Sequence, residues 1–264
     1  MLCRLLIALG ALISSALISM AAAGWVPAGA PLPSPEWTGL YLGAHAGAAW
    51  TNADGSWTPL PSPAAFGANV ISGNLNGGTN FIGGVQIGYN WQFAPTWVAG
   101  IEADLSVTQP KGTFNAPWTV FGTAAIIPNS STNMSMDAKW LASLRGRIGY
   151  LVVPQAFVYF TGGVAWGGIN YSAQASLDSI YNAQTSFSGT SPGYVLGGGL
   201  EWWLFASHWT VRAEYLFYHL NSSQSRTVFD NTGFFPTTFP SGFNWNNLDL
   251  NVVRAVLNYK FSPN

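Results

Sequence analysis

Residues 81–93 read FIGGVQIGYNWQF. Every second residue from Phe81 gives Phe81, Gly83, Val85, Ile87, Tyr89, Trp91 and Phe93; the alternate set is Ile82, Gly84, Gln86, Gly88, Asn90 and Gln92. One face is aliphatic and then aromatic, and the other is small or amide-bearing. A period of two with unlike faces is a β-strand. In a soluble sandwich the polar face would carry Lys, Glu or Thr toward bulk water. Gly, Gln and Asn suit a narrow, crowded interior, and an apolar face that ends in aromatics suits a membrane interface.

The composition agrees with a strand that meets lipid on one side. Of 264 residues 48% are hydrophobic, 15% aromatic and 7% charged, with 30 Gly and 13 Trp. Soluble domains carry about 25% charged residues. After the N-terminus no apolar run reaches the ~18 residues a transmembrane helix needs. Apolar content without apolar runs is what alternating barrel strands produce. A net charge of -1 disfavours nucleic acid as a partner.

Residues 1–23 read as a secretory signal: Arg4 gives the basic start, Leu5 to Met20 the apolar stretch, and Ala21-Ala22-Ala23 the small-residue cleavage site. Cys3, the single cysteine, falls within it, so the mature chain is expected to hold no disulfide. Residues 24–36 contain Pro27, Pro31, Pro33 and Pro35 and read as an extended periplasmic linker. Residues 37–264 are assigned to the barrel.

Eight alternating segments follow: 37–50, 81–93, 97–109, about Asp137 to Val152, 157–171, 193–204, 209–220 and 247–261. Short breaks at 94–96, 153–156 and 205–208 alternate with long stretches at 51–79, 110–136, 172–192 and 221–246. The pattern predicts an all-β fold, an eight-stranded antiparallel up-and-down transmembrane β-barrel with long external loops and short periplasmic turns.

Faces chosen by apolar pattern place most charges inward. The acids are Glu102, Asp104, Glu201 and Glu214; the bases are Lys139, Arg145, Arg147, Arg212, Arg254 and Lys260. No strand cation falls on the outward face, where it would cost about 2–4 kcal/mol at midplane. Antiparallel neighbours put Glu102 and Asp104 near Arg145 and Arg147, and Arg212 and Glu214 near Glu201 and Arg254. An ion-pair network that fills the barrel is preferred to an ion path or a catalytic carboxylate pair, because eight strands leave room for little more than their own side chains. Trp91, Phe93, Trp97, Tyr150, Trp202, Trp209, Tyr259 and Phe261 are assigned to the membrane interface.

With the strands placed, eight motifs resemble a known family: WTGLYLGAHAG at 37–47, GVQIGYNWQF at 84–93, GIEADL at 100–105, SLRGRIGY at 143–150, TGGVAWG at 161–167, GGGLEWWL at 197–204, WTVRAEYLFY at 209–218 and NVVRAVLNYKF at 251–261. They resemble the small porin-like outer-membrane barrels of alphaproteobacteria, the outer membrane immunogenic protein group within the OmpA-like barrel class. The resemblance covers the strands and not the loops. It implies an abundant protein of the bacterial outer membrane with structural and host-contact roles and no enzyme activity. Its expected partners are outer-membrane lipid and lipopolysaccharide, together with the barrel-assembly machinery, which would read the Tyr259/Phe261 strand. One departure is that Ser262-Pro263-Asn264 follow the terminal aromatic.

Two other functions compete with a structural and surface role. Inward glycines such as Gly43, Gly84, Gly88, Gly163 and Gly199 either leave a narrow pore or make room for Tyr41, Tyr159 and Tyr218. A lipid-modifying enzyme needs a Ser and a His in reach, oriented by an acid; His219 with Ser222 or Ser223 is the best candidate, but lipid A deacylase barrels place His and Ser two apart, where this chain has Asn221. No phosphate loop, metal cluster or cofactor motif is evident in the sequence. The aromatics of 221–246 (Phe234, Phe235, Phe239, Phe243 and Trp245) form a partner surface, dip into lipopolysaccharide or fold over the mouth.

Overall fold

The alternation at 81–93 is realised in the computed structural model, which describes residues 36–109, 111–204, 208–233 and 239–261. The elements are β1 (Gly39–Asn52), β2 (Asp54–Pro59), the one-turn helix α1 (Pro63–Phe66), β3 (Ile71–Asn74), β4 (Gly77–Ala94), β5 (Trp97–Thr108), β6 (Lys111–Ala116), β7 (Ser130–Val153), β8 (Ala156–Leu177), β9 (Tyr181–Trp203), β10 (Trp209–Leu220), β11 (Gln224–Val228), β12 (Ser241–Trp245) and β13 (Leu248–Phe261). The expected signal, residues 24–35 of the linker, the break at 205–207, Phe234, Phe235 and the tail after Phe261 lie outside the described residues.

Eight strands form a ring in the order β1-β13-β10-β9-β8-β7-β5-β4, and β4 returns to pair with β1. All of these pairings are antiparallel. Closure removes the sheet edges that a bilayer cannot solvate. On β4, Val85, Ile87, Tyr89 and Trp91 are exposed while Gln86, Gly88 and Asn90 are buried. Outward means lipid, and inward means the lumen.

The external stretches are more ordered than the sequence implied. Strands β7, β8 and β9 run 24, 22 and 23 residues, so residues 172–192 are not a loop. They are the upper part of one hairpin that turns at Asp178–Ile180. The stretches 51–79 and 221–246 meet in a second sheet, ordered β11-β12-β2-β3. Ser62 caps α1 by accepting the Ala65 N–H at 3.2 Å, and Gly67 ends it with φ 86°, a value glycine adopts without strain.

This cap has its own core. Trp57 stacks on Trp118 at 4.6 Å, with Phe66 edge-on to both. The Trp57 indole donates to Ser241 Oγ at 2.7 Å. Phe243 and Trp245 are fully buried and Phe239 packs against the same cluster. Of the three fates open to the fourth-stretch aromatics, folding over the mouth is the one observed for Phe239, Phe243 and Trp245.

Candidate functional site

The lumen is built by parity. On each strand the residues that do not face lipid converge on one axis, and β5, β7, β9, β10 and β13 bring Glu102, Asp104, Arg145, Arg147, Glu201, Arg212, Glu214 and Arg254 there, each at most 5% exposed. Three oppositely charged pairs are direct cross-strand partners: Glu102 with Arg145, Arg212 with Glu201, and Glu214 with Arg254.

Other contacts cross the lumen. Arg212 Nη1 reaches Glu102 Oε2 at 2.7 Å, although β10 and β5 are diametrically opposite in the ring. Arg145 meets Glu102 and lies 3.2 Å from both Asp104 and Glu214. Arg147 and Arg212 share Glu201 at 3.0 and 3.1 Å. Arg254 holds Glu214 at 2.6 Å and Asp104 at 3.4 Å. Four guanidiniums therefore stand against four carboxylates.

Neutral side chains add hydrogen bonds to these buried charges, which would otherwise be costly to desolvate. The Tyr41 hydroxyl donates to Glu102 at 2.6 Å, that of Tyr159 to Glu214 at 2.7 Å and that of Thr210 to Glu201 at 2.6 Å. Arg147 donates twice to Asn90 Oδ1, and Ser143 donates to Asp104. These partners are not among the charges that the sequence pattern places in the network, yet all share their inward parity. The inward glycines make room for them. A Cβ on Gly199 would stand 2.6 Å from the Tyr159 hydroxyl, and one on Gly88 would collide with that of Tyr41.

Two residues depart from the expected site. Lys139 is not in the lumen. Its side chain is 45% exposed and pairs with Asp137 at 2.6 Å. The β7–β8 register slips between Ala138 and Trp140, so a bulge inserts one residue and reverses the parity above it. Lys260 is buried in the barrel as expected, but its ammonium lies beyond ion-pair distance of the four network carboxylates. It donates to the Trp37 carbonyl and lies 4.8 Å from the Trp203 ring. Trp37, from the segment before β1, packs on Phe157 at 5.4 Å and Trp203 at 5.2 Å and closes the periplasmic end.

The eight assigned interfacial aromatics sit at the short-turn ends of their strands. Trp91, Phe93, Trp97, Tyr150, Trp209 and Phe261 are exposed; Trp202 and Tyr259 are half-buried. Trp97 packs on Tyr150 at 5.6 Å, and Tyr259 on Trp209 and Phe261 at 5.1 Å each. A second belt, absent from the assignment, lies at the other end in Phe81, Trp166 and Tyr194. Phe81 and Trp91 are about 33 Å apart along β4, or about 25 Å along an axis tilted ~40°, the height of a lipid-facing band.

His219 lies on the outward face, 2.6 Å from Asp249 and stacked on Tyr194 at 5.1 Å. Ser222 is buried, with its hydroxyl 3.4 Å from the Asn246 carbonyl. A closed strand ring, lipid-facing aliphatics between two aromatic belts and a charged interior define a transmembrane β-barrel of the outer membrane.

Residues 9–261 match the outer membrane protein beta-barrel domain family, and the chain belongs to it. It is 32% identical over 239 residues to the 31 kDa outer-membrane immunogenic protein of Brucella melitensis, covering 89% of this chain and 88% of the relative. The protein of the same name from Brucella suis matches to the same extent. Among solved structures, the outer membrane protease OmpT from Escherichia coli superposes with a TM-score of 0.51 over 89% of this chain and 99% of that one. At 8% identity that likeness concerns the fold alone.

Proposed function

We propose that the protein is a sealed, non-catalytic barrel that contributes to envelope integrity and presents its cap at the cell surface. The observation that carries this reading is the 2.7 Å Arg212–Glu102 bridge between opposite strands. It spans the lumen where a pore would need free water, and apolar layers lie on both sides of it. Toward the periplasm are Trp37, Phe157 and Trp203; toward the outside are Ile82, Leu141, Leu216 and Val252.

The buried Ser222 hydroxyl bonds the Asn246 carbonyl and His219 pairs outward with Asp249, which argues against a Ser222–His219 hydrolase pair. The name shared by the Brucella relatives, which describes an immunogen and not an enzyme, supports a surface role. The terminal strand β13, with outward Tyr259 and Phe261, is the segment offered to the assembly machinery.

The test is single-channel recording of refolded protein in a planar bilayer, after a heat-modifiable gel shift establishes the folded state. No conductance step is expected. A reproducible step from folded protein would overturn the sealed-lumen reading.

A further inference from the structure

The cap holds a cavity of about 170 Å³ lined by Phe66, Trp118, Leu177, Ile180, Tyr181 and Phe239. Trp118 and Tyr181 are buried and form its floor. Phe66, Leu177 and Phe239 are half-buried and Ile180 is exposed, so these four form its mouth. Phe66 stands edge-on to Trp118 at 5.5 Å, to Tyr181 at 5.4 Å and to Phe239 at 5.7 Å, and Trp118 is edge-on to Tyr181 at 5.7 Å. Four aromatic rings from four separate stretches of chain therefore meet around one small space.

The side-chain protons on these walls are already committed. The Tyr181 hydroxyl donates to the Phe239 carbonyl at 2.9 Å and is bonded to Ser241 Oγ at 2.8 Å, and the Trp118 indole donates to Thr132 Oγ1 at 2.9 Å. The other four side chains are hydrocarbon. An anion entering here finds no side-chain donor. A primary ammonium or a guanidinium would bury N–H groups against hydrocarbon. The surroundings are also acidic. Asp178 is exposed in the turn that joins Leu177 to Ile180, held at φ 46° with its N–H on the Asn129 carbonyl at 2.9 Å. Asp230 is buried beside Tyr181 and accepts the Asn182 N–H at 2.8 Å. Among the described residues, the cations outside the lumen are Lys111, Lys139 and Arg226, and none is on a segment that forms the cavity. Lys111 and Lys139 stand at the outer edge of the lipid-facing band, both beside Asp137, and Arg226 lies over the Phe187 ring at 4.6 Å.

A quaternary ammonium is the cation that such a site suits. It has no N–H to satisfy, its methyl groups pack on hydrocarbon, and its charge is attracted by the negative faces of aromatic rings. We infer that the cavity is an aromatic cage for a trimethylammonium group of the choline class, with the acidic turn at Asp178 beside its mouth. A neutral apolar guest would use the rings but not the acid. Size agrees, because a cavity of about 150 Å³ accepts benzene, and a trimethylammonium with its first methylene has about five heavy atoms. About 36 Å of β8 separates Leu177 from Trp166 of the outer belt, or about 28 Å along an axis tilted ~40°. The protein's own bilayer does not reach that height, so the guest arrives from outside the cell. The cage goes beyond the sealed-barrel reading and is independent of it, since a conducting lumen would leave the cap cavity in place.

The experiment titrates the refolded full chain in a maltoside detergent, which carries no ammonium group, and reads binding by ligand-observed NMR. The probes are choline, its uncharged isostere in which carbon replaces the ammonium nitrogen, and ethanolamine, which keeps a charge and its N–H groups. Choline should bind about tenfold tighter than either. This comparison needs no variant to fold. Phe66→Leu keeps an apolar wall and removes a ring, so it should weaken choline about threefold or more and leave the isostere unchanged. Asp178→Asn, a residue that tolerates the positive φ, should weaken choline and leave the isostere unchanged. Glycerophosphocholine, a soluble lipid head group, separates the sources: binding like choline's supports the cage with a head group of a facing membrane as guest, and much weaker binding supports it with a free cation. Equal affinity for choline and its isostere would overturn the proposal and leave a plain apolar pocket. Ethanolamine binding as tightly as choline would overturn it as well, and so would the absence of choline binding.

Discussion

Replacing Glu102 with Gln removes one charge and almost no volume, so it isolates electrostatics from cavity formation. The Glu102 carboxylate touches Arg145, lies 2.7 Å from Arg212, 3.8 Å from both Arg147 and Arg254, and accepts the Tyr41 hydroxyl at 2.6 Å. After the change four guanidiniums face three carboxylates in a space water does not reach. Breaking one side of a buried network costs about 3–5 kcal/mol, because the remaining charge loses its partner. For a chain of this size that corresponds to a fall in Tm of about 6–20 °C. Tryptophan fluorescence during thermal or urea unfolding in detergent reads it. A second substitution, Arg145→Gln, restores the balance at three and three, so the double variant should be more stable than the sum of the singles predicts, by about 1–3 kcal/mol. Raising NaCl should leave these differences unchanged, since buried pairs are poorly screened. A Glu102→Gln barrel that melts within about 2 °C of wild type, or singles that simply add, would refute the reading of the lumen as one coupled network.

Two further substitutions probe the packing and the cap. Gly88→Ala should destabilise the barrel by about 1–3 kcal/mol by displacing the Tyr41 hydroxyl from Glu102, whereas Gly146→Ala, whose Cβ would meet nothing within 4 Å, should be neutral or slightly stabilising; urea midpoints of the two decide it. In the cap, burial pushes the Tyr181 phenol up from 10.0 to about 12. A raised pKa in the folded state means that its stabilisation is complete below the unfolded value and is lost as pH rises from 10.0 through about 12. Protease cleavage of the β8–β9 hairpin should rise across that window, and Tyr181→Phe should remove this part of the pH dependence.

The ring was legible because its rule is local. Every barrel strand repeats unlike faces at a period of two, and residues 84–92, 101–107 and 209–220 keep that parity without interruption. The charges were legible for the same reason, since a guanidinium in this chain has the lumen as its one sheltered destination at membrane height. Lys139 was misplaced because a bulge leaves no trace in the alternation until the partner strand is known. The β7–β8 register, not the composition near Lys139, reveals the extra residue. Trp37 was read as the start of a strand because nothing in its neighbours marks a side chain that turns under the barrel and meets Phe157 and Trp203, both more than a hundred residues away.

The external strands were missed for a different reason, visible on β8, where no bulge intervenes. Up to Trp166 the outward residues are Val158, Phe160, Val164 and Trp166, and the inward ones include Tyr159, Thr161 and Gly163. From Asn170 the outward residues are Asn170, Ser172, Gln174 and Ser176, and the inward ones are Tyr171, Ala173 and Ala175. The alternation never stops; the solvent on each side changes. Below the belt the outside is lipid and the inside is a polar lumen. Above it the outside is water and the inside is the cap core of Trp57, Trp118 and Trp245. A search for apolar residues facing out therefore ends each strand at the membrane surface, though the backbone hydrogen bonding continues for several residues more. The reversal point, between Trp166 and Asn170, marks the outer boundary of the bilayer on this wall. It is also where Lys111 and Lys139 stand, so the feature that hid the upper sheet is the one that positions its cations at head-group height.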